Sequence, residues 1–269
     1  MKFQNISKAI NKALSELGVN PVINRLERSK EAKKTENLLQ AAIAEQISKP
    51  LTTQTVGMAF QLTRKAEANL YITNLYRNYV KTLDEEALQT LEALMRTSAI
   101  SGGNFAFDLL GKEDRFTLNE EQKNAISLRR SFVEESIYLT TLAFLAIRVE
   151  NAKSDGLSVE ETIDYIKKDI PSVSKNRSKL IVTNEIAEAS SGFEYEVFKD
   201  SGVTVLRWVT ALDERVCPWC SGLHGETIST GNKFNVAAKE TNYAREHPPI
   251  HIGCRCWLDP VEVKGVPLK

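Results

Sequence analysis

Every cysteine and every histidine in this 269-residue chain falls between Cys217 and Cys256. The seven are Cys217, Cys220, His224, His247, His251, Cys254 and Cys256, and no residue before Cys217 is of either type. They stand in a stretch, from Gly202 onward, dominated by turn residues and poor in apolar material of its own. A small unit of that kind needs a staple to hold it together. The spacing suggests which staple. Cys217-Pro218-Trp219-Cys220 is a Cys-x-x-Cys knuckle whose tight turn aims two thiolates at one point. His251-Ile252-Gly253-Cys254-Arg255-Cys256 offers three more donors, with Gly253 letting the backbone turn between them. Two ligands from one knuckle and two from another is the plan of a closed tetrahedral zinc site.

The candidate ligands are therefore Cys217, Cys220, His251, Cys254 and Cys256, five for four places. Cys217 and Cys220 are the core pair; which two of the other three complete the set stays open. His224 and His247 are expected to be bystanders, with Pro248-Pro249 stiffening the approach to His251. Zinc is favoured over an iron–sulfur cluster because a histidine is among the donors. Two disulfides, or buried unligated thiols, are the alternatives. Disulfides suit an oxidising compartment, and Met1-Lys2-Phe3-Gln4-Asn5-Ile6 does not open a continuous apolar stretch of export-signal length, so a reducing cytoplasm is expected. The most apolar run, Ile137 to Val149, is shorter than the ~20 residues of a membrane span.

Three features argue against catalysis by such a metal. His247-Pro248-Pro249-Ile250-His251 has metalloprotease spacing, but two prolines exclude the helix that spacing requires, and no glutamate follows His247. His224-Gly225-Glu226 follows the cysteine pair, whereas in zinc deaminases the His-x-Glu precedes it. Four protein ligands leave no place for a reactive water. The expectation is a protein that is not an enzyme and takes no small-molecule substrate. Arg255, between two candidate ligands, is placed to offset thiolate charge.

Ahead of this unit the chain reads as helix. Ile6, Ile10, Leu14 and Leu17 recur at helical spacing up to Gly18 and Pro21. Leu38, Leu39, Ala42, Ile43 and Ile47 form a second stripe, stopped by Pro50. A long segment from Gln54 to Val80 carries Tyr71, Tyr76 and Tyr79 around its circumference, a candidate docking surface. Asp84 caps a helix through Leu88, Leu91 and Met95, which Ser101-Gly102-Gly103-Asn104 is expected to break. Asn119 with Gln122, and Ser158 with Glu161, read as capping boxes; Gly156 reads as a C-cap; Pro171 is expected to stop a helix holding Ile163, Ile166 and Ile170. Alternation through Val203, Val205, Arg207 and Val209 predicts a strand, and Val261-Glu262-Val263 a last short one. The fold class is α+β: a mainly helical body, then a small antiparallel β, zinc-stapled C-terminal module. The expected divisions are 1–115, 116–200 and 201–269.

Acidic and basic residues balance, 35 of each, so no global field draws the molecule to nucleic acid or membrane. From Met1 to Lys34, however, basic residues outnumber acidic ones, which reads as a solvated amphipathic helix or as an arm for nucleic acid such as DNA.

From about Phe116 to Pro260 the order of features resembles the phage head morphogenesis family, the minor capsid proteins like protein F of phage Mu. The resemblance rests on Val182-Thr183-Asn184-Glu185, Gly202-Val203, Trp208, Asp213, Arg215, Cys217, Cys220, Leu223 and Gly225, closing with His251, Cys254, Arg255 and Cys256. Val182 stands where that family has arginine, and Ile252 where it has proline. The resemblance implies a viral structural protein that associates with the portal protein and other head proteins, in the host cytoplasm during assembly and in the procapsid or virion.

Overall fold

The computed structural model describes residues 23, 26, 29–49, 51–61, 67, 70, 71, 74, 85–211, 213–237 and 242–268. The expected helix from Ile6 to Leu17, most of the basic arm, the larger part of the Gln54–Val80 segment with Tyr76 and Tyr79, Pro50 and the Asp84 cap lie outside the described residues.

Among the described residues, the helices described from end to end are α1 (Lys30–Ser48), α2 (Thr53–Gln61), α3 (Glu85–Leu109), α4 (Glu120–Ser154) and α5 (Val159–Asp200), followed after β1 by a single short turn, α6 (Pro218–Leu223). Local chemistry sets the boundaries. At the start of α4 the Gln122 backbone N–H donates to Asn119 Oδ1 at 2.9 Å, and Asn119 N–H donates back to Gln122 Oε1 at 3.1 Å. The same reciprocal pair opens α5, between Ser158 and Glu161 at 2.8 and 3.2 Å. Each satisfies two amide groups that the first helical turn leaves without partners. Gly156, at φ +74°, closes α4, with Leu157 N–H donating to Ala152 O at 3.0 Å, a left-handed cap that suits glycine.

Two expected breaks are absent. α3 runs straight through Ser101-Gly102-Gly103-Asn104. A Cβ at Gly102 would stand 2.0 Å from Ser190 O, and one at Gly103 would stand 2.3 Å from the Phe116 ring. These glycines let neighbouring chain approach the helix; they do not end it. α5 likewise continues through Pro171 for 42 residues. An interior proline costs about 3 kcal/mol, yet Ile163, Ile166 and Ile170 before it and Val182 and Ile186 after it are all buried. Packing on both sides outweighs the local penalty.

By contacts the described residues divide into two compact units: those within 1–32, 93–126 and 180–269 form one, and those within 33–92 and 127–179 the other. The second unit is helical, with Leu39, Ile43, Ile47, Leu88, Leu91, Ile137, Leu145 and Ile166 in its core. Arg177 fastens it internally, donating to Thr141 Oγ1 at 2.8 Å and to Ile137 O at 3.0 Å.

The first unit carries all the β structure among the described residues: β1 (Val203–Val209), β2 (Thr227–Ser229), β3 (Phe234–Ala237), β4 (Asn242–Arg245), β5 (Trp257–Val263) and β6 (Val266–Pro267). One antiparallel sheet has the order β2-β1-β5-β6, and β3 pairs with β4. Strict alternation in β1 would put Val203 and Trp208 on opposite faces, yet both are buried. The register against β5 shifts between Val203 and Leu206, and that irregularity brings Val203, Leu206 and Trp208 into one core. The core joins Trp208, Phe234, Leu206 and Leu258 to Phe198 and Val197 of α5 and Ala106 of α3. The C-terminal stretch thus borrows apolar surface from helices that precede it in the chain, which its own composition did not reveal.

Candidate metal centre

Cys217 precedes α6 in an extended conformation, and its Sγ accepts the backbone N–H of Cys220 at 3.4 Å. Pro218 at the first helical position has no N–H to satisfy and a φ already suited to the turn. One tight turn therefore brings both thiols to the same side, with Cys220 buried. The second arm arrives from Pro248-Pro249, joined by a cis peptide bond. Gly253, at φ +78°, turns the chain so that Cys254 N–H donates to His251 O at 3.1 Å. Cys254 and Cys256 are both buried, and Cys256 leads straight into β5.

All five expected donors meet. Cys217, Cys220 and His251 form one group, and Cys220, Cys254 and Cys256 a second; within each, the ligating atoms lie within 4.8 Å of one another. Cys220 belongs to both. His251 Nε2 stands 3.1 Å from the sulfurs of both Cys217 and Cys220, and the Cys220 and Cys254 sulfurs are 3.8 Å apart. Two thiolates each ~2.3 Å from one tetrahedral ion would lie about 3.8 Å apart, and a thiolate and an imidazole nitrogen about 3.6 Å. The Cys220–Cys254 separation fits such an edge, while both His251–sulfur separations are shorter than it. All four cysteines are free thiols in this structure.

The surroundings prepare the donors. His251 Nδ1 is 2.8 Å from Ile252 O. With a carbonyl as acceptor, Nδ1 carries the proton and Nε2 presents its lone pair to the thiols. Hydrogen bonds from Cys220 and Cys256, together with the backbone, pull Cys254 down to about 3 despite its burial. The Cys220 thiol is pushed up by its hydrogen bonds to Cys254 and Cys256 and by burial. Three buried thiols so close cannot all ionise without a cation among them. Arg255 forms a two-pronged ion pair with Asp213, one arm at 2.7 Å, and this pair, chiefly the hydrogen bond from Arg255, holds the Asp213 carboxyl down at about 2. The Cys256 thiol is also pushed up: its hydrogen bond with Cys220 opposes the shift, but Cys254 and burial outweigh it.

The other two histidines stand elsewhere. His224 Nδ1 accepts the Thr210 backbone N–H at 3.2 Å; His247 packs against Tyr195, ring centres 5.7 Å apart. Three features of this unit escape inspection of the sequence. Arg245 pairs with Glu188 of α5 at 2.9 and 3.1 Å and also donates to Pro249 O, tying the second arm to the helix. The Tyr195 hydroxyl accepts the Gly231 N–H at 3.1 Å. Glu194 is fully buried with no well-formed hydrogen bond to either carboxyl oxygen, and burial raises it well above the usual carboxylate range, helped by Asp259 and opposed by the Leu258 backbone. Each depends on residues remote in sequence or on burial that no local pattern signals.

Set beside known proteins, residues 145–259 match the family model described as Phage Mu protein F like protein, a phage head morphogenesis family. The matched segment begins in α4, spans α5 and ends in β5, and it contains all five clustered donors. This part of the chain is similar to a family of structural phage head proteins, which points to a role in the phage head. No curated protein and no solved structure matches the chain. No helix among the described residues is long and apolar enough to cross a membrane.

Proposed function

We propose that this chain is a minor capsid protein that associates with the portal and other head proteins while a phage head is assembled, and that it is not an enzyme. The observation that carries the assembly reading is the family match over residues 145–259. On this reading the protein works in the host cytoplasm during assembly and enters the procapsid or virion. The clustered donors serve the fold: four of Cys217, Cys220, His251, Cys254 and Cys256 hold one structural zinc. The gathering of the donors into two close groups that share Cys220 supports this, as does the place of the four cysteines in or against the buried core. A closed, thiolate-rich ion has no open position for an activated water, so its contribution is folding energy. Co-expression with the portal protein of the same phage, followed by affinity capture, tests the assembly reading. Recovery of the portal with the chain is expected. Absence of the portal, with heads forming normally when the gene is deleted, would overturn it.

A further inference from the structure

The middle of α5 carries a cationic stripe. Lys168, Ser172, Lys175 and Lys179 follow one another in steps of four, three and four residues, which places them within about 60° of one another around the helix. All four are exposed, as is Lys167 beside them, and all belong to the helical unit within residues 33–92 and 127–179. The one carboxylate between residues 165 and 179, Asp169, is held by Arg148 at 2.9 Å, and Arg177 turns inward to Thr141 and Ile137. Lysines elsewhere are engaged: Lys49 with Glu45, Lys123 with Glu120, and Lys153 with Phe60 O. The ammonium groups of Lys168, Lys175 and Lys179 have no partner among the described residues.

The composition of the stripe identifies its occupant. Charge complementarity calls for a polyanion. A protein partner would need an apolar or aromatic anchor, and lysine is depleted where proteins meet; the stripe holds only lysines and a serine. A single strand of nucleic acid would need aromatic rings on which to stack its bases, and the stripe has none. Lysine and serine are side chains that meet phosphate oxygens without reading sequence. We propose that this stripe lies along the phosphate backbone of double-stranded DNA, with Lys168, Lys175 and Lys179 each facing a phosphate. At 1.5 Å per residue the three span roughly 17 Å of helix. A duplex carries one phosphate per ~1.7 Å of its axis, so flexible lysine side chains find partners at both intervals. The contact is independent of the metal centre and of binding to the portal.

Fluorescence anisotropy of the full chain with a labelled DNA duplex of arbitrary sequence tests this, titrated between about 50 and 200 mM KCl. Dissociation on the order of 1–100 µM is expected at the low-salt end. Three phosphate contacts contribute about −2.7 to the slope of log affinity against log salt, which is roughly a 40-fold loss across that fourfold range. The triple variant Lys168→Gln, Lys175→Gln, Lys179→Gln should bind at least ~10-fold more weakly at low salt and lose that part of the slope. Its helical circular dichroism should be unchanged, since glutamine and lysine have similar helix propensity. Replacing the same three by arginine should retain binding. Any affinity from the basic residues before Lys34 is common to all these proteins, so the difference isolates the stripe. Lys49→Gln, Lys123→Gln and Lys153→Gln together remove the same charge from engaged lysines and should leave the affinity near wild type. Four results would each overturn the proposal: no binding by the wild type, equal affinity and slope in the stripe variant, an equal loss in the control triple, or displacement of the duplex by polyglutamate as readily as by unlabelled duplex of equal charge, which would assign the stripe to an acidic protein.

Discussion

Glu194 sits on α5 beneath β5 with no exposed surface, and desolvation raises its carboxyl well above 4.5, the ordinary value. In the folded protein it therefore holds a proton that the unfolded chain releases once the pH passes about 4.5. The unfolded state binds fewer protons over that interval, so folding stability declines as pH rises. The decline can reach ~1.4 kcal/mol per pH unit from this group alone, and it stops once pH exceeds the folded-state value. Glu194→Gln keeps the shape and removes the titration. Urea unfolding of both proteins between about pH 5 and pH 8, at saturating zinc so that metal linkage is common to both, isolates the term. The variant's advantage should be smallest at the acid end and widen steadily with pH. Parallel stability curves would show that the carboxyl is ionised or solvated in the folded protein and would refute the reasoning.

Three further outcomes follow from the same packing. Cys220→Ser removes the donor shared by both groups, so zinc binding is lost and hydrogen exchange should rise through β1, β5 and the adjoining ends of α3 and α5, which share one core; protection confined to its wild-type pattern would contradict this. Gly102→Ala sets a methyl 2.0 Å from Ser190 O, and overpacking of this kind costs about 1–3 kcal/mol, readable as a lowered thermal midpoint. Arg255→Ala strips the ion pair with Asp213 and the positive charge beside the thiolates, and should weaken zinc binding on the order of tenfold, measured by competition with a chromogenic chelator.

How much of this was legible in advance depended on range. The capping pairs Asn119–Gln122 and Ser158–Glu161 close within one helical turn, so three-residue spacing was sufficient to find them. The clustering of the five candidate donors was legible because each knuckle is a short loop with fixed geometry, and the two knuckles needed only to be brought together. Gly102, Gly103 and Pro171 misled because local propensity opposes helix at each of them while packing many residues away favours it. Arg245–Glu188 and the burial of Glu194 are consequences of where α5 lies against the strands of its own unit, and no local pattern contains that. The choice among Cys254, Cys256 and His251 was open in the sequence for a related reason: spacing counts donors but does not assign them.

Metal content of the full chain, purified without added metal, measures the central structural claim most directly. Native mass spectrometry with elemental analysis should find one zinc per chain, bound to Cys217, Cys220 and two of His251, Cys254 and Cys256. Chelation should release it and unfold the β strands of that unit, because structural zinc sites contribute on the order of 10–16 kcal/mol of apparent binding free energy. A folded, metal-free chain whose four cysteines all titrate as ordinary free thiols would contradict the account.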